Sequence, residues 1–83
     1  MIIKYFSWIK EHVGKSEEHF MLPSHITNVD QLINYLIEMD EKYELILKKK
    51  EIIKISVNKT YSSFDAKISN NDEIAFFPPV TGG

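Results

Sequence analysis

The spacing of hydrophobic and polar residues changes several times along the chain, and each change predicts a new element of secondary structure. Residues 2–6 alternate between two faces, which predicts a first strand. Ile9 and Val13 then recur at helical spacing, and they predict a short helix that Ser7 can cap. Gly14 stands where many helices end in a left-handed residue, so we expect the helix to end there.

The longest apolar stripe lies in Val29–Met39, where hydrophobic residues recur every three or four positions, as on one face of a helix. Asn28 is the predicted N-cap of this helix, and Gln31 stands three residues later in the pattern of a capping box. Before the helix, residues 17–22 alternate and end at a proline, which predicts a second strand.

Three further strands are predicted in the second half of the chain, at residues 52–57, at Tyr61 and at residues 74–77. Residues 58–60 form the predicted turn into the middle one of these strands. A second polar turn spans residues 69–72, where we expect Asn71 to adopt a positive φ angle. Residues 40–44 are predicted to be a charged connection, and residues 48–50 to be a solvated loop without a functional role.

The predicted order is therefore strand, short helix, strand, long helix and three more strands. One mixed sheet of about five strands, wrapped on the long helix, is the simplest way to bury the apolar stripe of that helix. The sequence thus predicts the α+β architecture of the β-grasp, or ubiquitin-like, fold. We expect residues 1–77 to form this domain and residues 78–83 to be a flexible, extended tail.

Composition narrows the functions that such a domain can perform. A chain of 83 residues leaves little volume for an internal substrate cavity, so we do not expect a whole enzyme. Its net charge of −2 argues against nucleic acid as a partner, because nucleic-acid-binding domains are usually strongly basic. The absence of cysteine excludes disulfides, a thiolate nucleophile and a sulfur-ligated metal.

Neither a metal site nor a membrane segment is predicted. His12, His19 and His25 lack the spacing of a metal site, so we expect no bound metal. No stretch approaches the roughly 18 apolar residues that a membrane span needs, and the lysines near the N-terminus do not suit a signal peptide. We therefore expect a cytoplasmic, unprocessed protein that does not bind membranes.

The stretch FFPPVTGG, residues 76–83, combines aromatic residues, prolines and glycines in a pattern that predicts a deliverable tail. Pro78 and Pro79 lack a backbone N–H and fix φ, so they end a strand and force an extended exit. Six residues at about 3.3 Å each reach roughly 20 Å, enough to enter a cleft on another protein. The residues predicted to bind in such a cleft are Pro78, Pro79, Val80, Thr81, Gly82 and Gly83.

The carboxyl group of Gly83 is the reactive group that this pattern predicts. Glycine has no Cβ, so Gly82 and Gly83 allow close approach in a narrow channel and leave the carboxyl accessible. A terminal carboxyl has a pKa of about 3.5, so near neutral pH it is an anion that must be activated before a group can be attached. We therefore expect adenylation by a partner that uses ATP. The alternative is an inert, frayed terminus.

The chain resembles the small subunit of molybdopterin synthase, the MoaD-type sulfur carrier. The resemblance is sharpest in residues 57–83, VNKTYSSFDAKISNNDEIAFFPPVTGG, with a Val-Asn strand end, an Asp-Glu pair and the FFPPVTGG ending. The order and spacing of the upstream elements are also similar, so the resemblance covers essentially the whole chain.

This resemblance implies a reactant rather than a catalyst. A MoeB-type enzyme would use ATP to adenylate Gly83, and a sulfur donor would then convert the adenylate to a thiocarboxylate. The tail would enter a pocket of the MoaE-type large subunit, where the thiocarboxylate donates sulfur to cyclic pyranopterin monophosphate. The large subunit would hold the catalytic site of the resulting heterotetramer, and the small subunit would bind no cofactor of its own.

Strand parity adds a predicted docking surface. If the alternate residues Ile3, Tyr5, Ile74 and Phe76 face the core, then Phe6 and Phe77 face outward on neighbouring strands. Tyr61 is the predicted third member, and exposed aromatic residues beside a reactive tail are typical of a partner-docking site. Residues at these three positions look like interface contacts in the MoaD family. Alternatively, Phe6 packs only against the short helix.

Three other functions share parts of this pattern. A thiamine-type sulfur carrier would have the same fold and Gly-Gly ending, although such chains resemble this one less at FFPPVT. A ubiquitin-like protein modifier would use the activated Gly83 to form isopeptide bonds with lysines. A plain binding module would have an inert tail, so truncation of the tail would leave its activity intact.

Overall fold

The computed structural model describes residues 1–79 and contains the predicted succession of strands and helices. The strands are β1 (Ile2–Tyr5), β2 (Glu17–His19), β3 (Lys54–Val57), β4 (Thr60–Ser62) and β5 (Glu73–Phe77). The α-helices are α1 (Ser7–Val13), α2 (Val29–Met39) and α3 (Glu44–Leu47), and 3₁₀ turns lie at Glu41–Tyr43 and Lys50–Ile52.

The five strands form one mixed sheet in the order β2-β1-β5-β3-β4. β1 and β5 pair in parallel, and the other three pairs of neighbouring strands are antiparallel. The apolar stripe of α2 packs into the same core as one face of this sheet. This is the β-grasp arrangement, so the predicted α+β class and mixed sheet on one long helix are confirmed.

The alternation predicted for the two central strands is also confirmed. Four of their side chains face α2 and are at most 1% exposed, namely Ile3, Tyr5, Ile74 and Phe76. Ile53 and Ile55 continue this buried layer on the next strand segment. On α2 the stripe is buried from Val29 to Leu36, whereas Met39 at its end is half exposed.

The start of α2 is held by a variant of the predicted capping box. Asn28 is the N-cap, and its Oδ1 accepts from the backbone N–H of Gln31 at 2.8 Å. Gln31 Oε1 accepts from the backbone N–H of Thr27 at 2.6 Å, one residue before the N-cap. The N–H groups of Val29 and Asp30 donate to carbonyls of residues 64–66, so the first turn of α2 is satisfied.

The predicted start of α1 is wrong, whereas its predicted end is confirmed. Phe6, with extended φ and ψ of −125° and 154°, is the N-cap, and no side chain caps the helix. Ser7 is already the first helical residue and has a positive φ of 56°. Gly14 is left-handed with φ of 87°, and its N–H donates to the carbonyl of Lys10 at 2.8 Å.

The connection after α2 is more ordered than predicted. Its 3₁₀ turn and α3 bury Tyr43, Ile46 and Leu47, which are each at most 2% exposed. These residues stand at positions i, i+3 and i+4, as on one helical face, but the charged Glu44 and the exposed Leu45 between them obscure the pattern. Within residues 40–44, Tyr43 is therefore a core residue, whereas Asp40, Glu41 and Glu44 are exposed. No helix within residues 1–79 has the length and apolar character needed to cross a membrane.

The two polar turns differ in how they are closed. Asn58 and Lys59 have positive φ angles of 51° and 69°, so this two-residue turn joins β3 to β4 as expected of a tight hairpin. The expectation for Asn71 is wrong, because it is not among the residues with positive φ. Asp72 closes that turn instead, since its carboxylate accepts from the N–H of Ser69 at 2.8 Å.

Two strands are shorter than predicted. β2 ends at His19, although Phe20 still donates its N–H to the carbonyl of Met1 at 2.9 Å. β3 begins at Lys54, because Lys50–Ile52 forms a 3₁₀ turn. The hairpin tip is also tied to β5, since Asn58 Oδ1 accepts from the N–H of Glu73 at 3.0 Å.

Candidate functional site

The predicted tail leaves from the middle of the sheet. β5 is hydrogen-bonded to β1 on one side and to β3 on the other. It ends at Phe77, after which Pro78 is half-buried and Pro79 is exposed. Two prolines have no N–H to donate, so the ladder ends where the sequence predicts. The other predicted tail residues, Val80, Thr81, Gly82 and Gly83, lie outside the described residues.

Consecutive phenylalanines of β5 point to opposite faces of the sheet. The Phe76 side chain is fully buried, and its ring stacks on that of Tyr5 with centroids 6.1 Å apart. Phe77 lies on the open face and is half-buried. Because successive side chains of a strand alternate, burial of Phe76 directs Phe77 outward, directly before the tail.

Tyr61 covers Phe77 from the neighbouring hairpin. It lies in the edge strand β4, opposite Ser56 of β3, and 72% of its surface is exposed. The ring centroids of Tyr61 and Phe77 are 5.5 Å apart. The two rings form the wall of an open groove of about 540 Å³, which is also lined by Lys54, Ser62, Ser63 and Pro79.

Phe6 lies at the neighbouring strand end but apart from this pair. Its backbone N–H donates to the carbonyl of Phe76 at 3.1 Å, and 47% of its surface is exposed. Within residues 1–79 its ring makes no stacking contact with Tyr61 or Phe77. It lines a separate groove of about 260 Å³ together with Lys4, Lys10 and Glu17. The structure therefore brings two of the three predicted docking residues into contact and leaves the third exposed beside them.

A polar cluster that sequence reasoning missed joins β1, β2 and the 3₁₀ turn Glu41–Tyr43. Glu18 of β2 accepts hydrogen bonds from the hydroxyl groups of Tyr5, at 2.9 Å, and Tyr43. Its other oxygen pairs with Lys15 at 3.2 Å, and its side chain is only 11% exposed. A buried tyrosine needs a hydrogen-bond partner for its hydroxyl group. The predicted core position of Tyr5 was therefore the sequence signal that could have indicated such a cluster.

Ionisation in this cluster follows from burial and hydrogen bonding. Burial raises the pKa of Tyr5 and of Tyr43 well above the ordinary value, and the Glu18 carboxylate raises both further. Burial also acts to raise the pKa of Glu18, but hydrogen bonds from Tyr43, Tyr5 and Lys15 outweigh it and lower that pKa. The tyrosines are therefore neutral donors to a carboxylate, and this cluster fixes β2 and the 3₁₀ turn to β1.

The histidines make only local contacts. His19 Nε2 lies 2.8 Å from the carboxylate of Glu17, and His12 Nδ1 lies 3.1 Å from the carbonyl of Trp8. In the part of the chain that the structure describes, no group of three or more His, Asp or Glu side chains is placed to hold a metal. The site thus consists of an aromatic face and the exit of the tail.

Comparison with known proteins assigns this arrangement to a family. The family model described as the ThiS family matches residues 3–83. This chain belongs to the ThiS family. The match includes residues 57–83, where the resemblance is sharpest.

Individual similar proteins agree with the sequence-based resemblance to MoaD-type carriers. The molybdopterin synthase sulfur carrier subunit of Dictyostelium discoideum is 37% identical over 83 residues, covering 98% of this chain and 93% of that protein. The subunit of the same name from Escherichia coli is 31% identical over 81 residues, covering 98% and 96%. Molybdopterin converting factor subunit 1 from Pyrococcus furiosus is 29% identical and superimposes with a TM-score of 0.71, covering 95% of both chains.

Proposed function

We propose that this protein is the sulfur carrier of molybdenum cofactor biosynthesis, acting as the small subunit of molybdopterin synthase. The observation that carries the proposal is the end of β5, where Phe77 joins Tyr61 on the open face immediately before the two prolines. In this proposal the open face beside the end of β5 is the docking surface, and the residues after Phe77 are the tail that is delivered. Membership of the ThiS family and two curated sulfur carrier subunits at 31% and 37% identity support it.

In this proposal the carboxylate of Gly83 is the reactive group. An adenylating enzyme of the MoeB type joins the carboxylate to the α-phosphate of ATP and releases pyrophosphate. A sulfur donor then displaces AMP to give a thiocarboxylate. The carrier itself binds no cofactor, because the ATP is bound and used by the activating enzyme. We place all of these steps in the cytoplasm.

The second half of the cycle takes place on the large subunit. We expect the residues from Pro78 to Gly83 to enter its pocket, where the thiocarboxylate sulfur attacks cyclic pyranopterin monophosphate. Water then cleaves the bond between the sulfur and the Gly83 carbonyl carbon, which leaves the sulfur on the pterin and returns Gly83 to its carboxylate. Two such deliveries supply the two sulfurs of the dithiolene. The domain formed by residues 1–77 docks through Phe6, Tyr61 and Phe77, and the catalytic groups belong to the large subunit.

The experiment measures sulfur on the protein itself. The chain is incubated with the activating enzyme, ATP and a sulfide source, and intact-protein mass spectrometry follows conversion of the carboxylate to the thiocarboxylate. Pterin conversion is then measured with the large subunit. Deleting Gly83 moves the carboxylate back by about 3.3 Å, and a misplacement on the order of 1 Å already costs about a hundredfold in rate, so activity should be lost.

Two further variants distinguish the position of the terminal carboxylate from the width of the channel around the tail. Appending one alanine after Gly83 places the carboxylate too far forward and should also abolish activity, whereas Gly82→Ala tests only the width of the channel and should be partly active. Met21→Ala, at a side chain that is 82% exposed, is the matched control and should be fully active. If the truncated and extended chains accept and deliver sulfur like the native chain, the carrier proposal is wrong.

The same experiment distinguishes the alternative functions. A ubiquitin-like modifier would leave activated Gly83 in covalent adducts with lysines of other proteins, which appear as mass additions far larger than one sulfur. A thiamine-type carrier would form the thiocarboxylate but would not convert the pterin precursor. A plain binding module would form neither product.

A further inference from the structure

Two lysines bracket the aromatic pair of the open face. Lys54 lines the groove of about 540 Å³ on one side of Tyr61 and Phe77. Lys59 lines a second groove of about 230 Å³ on the other side of the same two rings, together with Ser56. Both lysines are exposed. The apolar centre of this face is therefore flanked by a positive charge on each side.

Neither lysine is neutralised within residues 1–79. The lysines that form ion pairs in this part of the chain are Lys4, Lys15, Lys48 and Lys50. Lys54 lies opposite Phe77 in the register of β3 and β5, and Lys59 lies at the tip of the hairpin. Glu73, the acidic residue of β5, pairs with Lys4 at 3.5 Å. The two positive charges are thus available to a partner.

The charge of this face opposes that of the whole chain. The protein has 12 acidic and 10 basic residues, which gives a net charge of −2. Among the described residues, the grooves beside Tyr61 and Phe77 contain Lys54 and Lys59 as their only charged lining residues, and the groove of Phe6 is lined by Lys4, Lys10 and Glu17. A different groove, around the exposed Leu45, is lined by Asp40, Glu41, Glu44 and Lys42. The two surfaces therefore differ in the sign of their predominant charge.

We propose that the open face recognises a protein surface with an apolar centre and carboxylates at its rim, and that Lys54 and Lys59 determine which protein is accepted. The inference rests on the proposed function, in which this partner is the large subunit of the synthase. Lysine packs its aliphatic chain along an aromatic ring while its ammonium stays at the wet edge of an interface. Charges in that position act mainly on the association rate and on partner choice.

The test compares charge reversal with charge conservation at the two sites. The probe is the recombinant large subunit of molybdopterin synthase from the same organism, and stopped-flow measurements give its association rate at low and high salt. In the Lys54→Glu, Lys59→Glu double variant we expect the rate at low salt to fall by about tenfold or more. At high salt the difference should largely disappear, because screening shortens the range of the interaction.

Two variants serve as controls. Lys54→Arg combined with Lys59→Arg keeps both charges and should associate at the native rate. Lys49→Glu makes a reversal at another exposed lysine, away from the grooves of the open face, and should have a much smaller effect than reversal at the two sites. Melting temperatures of all variants should match the native value within a few degrees, because these side chains are exposed and form no ion pair in the described part of the chain.

The outcomes separate this inference from the proposed function. Native association that slows as salt is added, together with loss of rate in the double glutamate variant alone, supports the inference. If the native chain binds the large subunit but the double variant associates equally fast, or Lys49→Glu has the same effect, the inference is wrong and the proposed function stands. If the native chain does not bind the large subunit at all, both are wrong.

Discussion

The two faces of the sheet use the same residue types for opposite purposes. On the inner face, Tyr5 and Phe76 stack, and the Tyr5 hydroxyl is satisfied by Glu18. On the open face, Tyr61 and Phe77 also contact each other, but Tyr61 is 72% exposed. The inner pair is complete within the chain, whereas the outer pair retains apolar surface in contact with water.

In this molecule burial and hydrogen-bond satisfaction, rather than aromatic character, distinguish the core residues from the residues that we propose for docking. Side chains that are already buried and hydrogen-bonded within the chain gain no further free energy from contact with a partner. An exposed aromatic pair gains free energy when a partner removes it from water, by about 25 cal/mol for each Å² of apolar surface buried. The two faces should therefore respond differently to mutation, with stability lost on one and affinity on the other.

The largest loss of stability is expected when the inner ring of β5 is removed. Phe76→Ala leaves a cavity in a fully packed core and should lower the free energy of unfolding by about 3–5 kcal/mol. Phe77→Ala in the next position should lower it by less than about 1 kcal/mol. Urea denaturation of both variants measures the difference. Equal losses would show that the two faces do not differ as described.

A smaller loss is expected when the acceptor of the inner cluster is removed. Glu18→Ala leaves the hydroxyl groups of Tyr5 and Tyr43 without their partner, which should cost about 2–3 kcal/mol. Glu17→Ala is the matched control, because Glu17 lies in the same strand with only an exposed contact to His19 and should cost less than about 0.5 kcal/mol. Chemical denaturation at neutral pH tests both. A Glu18 variant as stable as the control would contradict the structural role of the cluster.

The pH dependence of stability should reveal the same cluster. The pKa of Glu18 is lower in the folded chain than in the unfolded chain, so its contribution is complete above the ordinary value of 4.5 and is lost as the pH falls through the folded value. The native protein should therefore lose more stability below pH 4.5 than Glu18→Gln. Denaturation curves recorded at several acidic pH values measure this. Parallel curves for the two proteins would exclude a contribution from Glu18.

The smallest effect on stability, but a large one on binding, is expected on the open face. Phe77→Asp and Phe6→Asp place a charge that stays hydrated in the free protein but is buried without a partner in an interface. We expect stability to change by less than about 1 kcal/mol while affinity for the large subunit falls by at least tenfold. Calorimetry of unfolding and of binding measures the two quantities. If both variants unfold, these side chains belong to the core and the assignment of faces is wrong.

Local pattern was sufficient to predict most of the fold. The alternation of residues 2–6 and 74–77 correctly assigned Phe76 to the core and Phe77 to the open face, and the stripe of α2 correctly gave its bounds. The cap at Asn28 and the turn at residues 58–60 followed from residue types with strong local preferences. These features depend on contacts between residues that are close in sequence.

Features that depend on distant contacts were not predicted. Glu18 bonds to Tyr5 and Tyr43, which lie 13 and 25 positions away, so no local window contains the cluster. Tyr43, Ile46 and Leu47 were missed because the exposed Leu45 and the charged residues around it interrupt their helical spacing. Of the candidate site, the outward position of Phe77 followed from parity, but the contact of Tyr61 with Phe77, the separation of Phe6 and the two flanking lysine grooves required the structure.

The bond between the hairpin tip and the start of β5 has a consequence at the opposite end of that strand. Asn58 exchanges backbone and side-chain hydrogen bonds with Glu73, so it acts as a stop against sliding of β5 along β3. A slip of one residue would exchange the two phenylalanines between faces and shift the exit of the tail by about 3.3 Å. Asn58, at the opposite end of β5 from the tail, thus fixes which phenylalanine lies on the open face. It also fixes the position at which the C-terminal segment leaves the sheet.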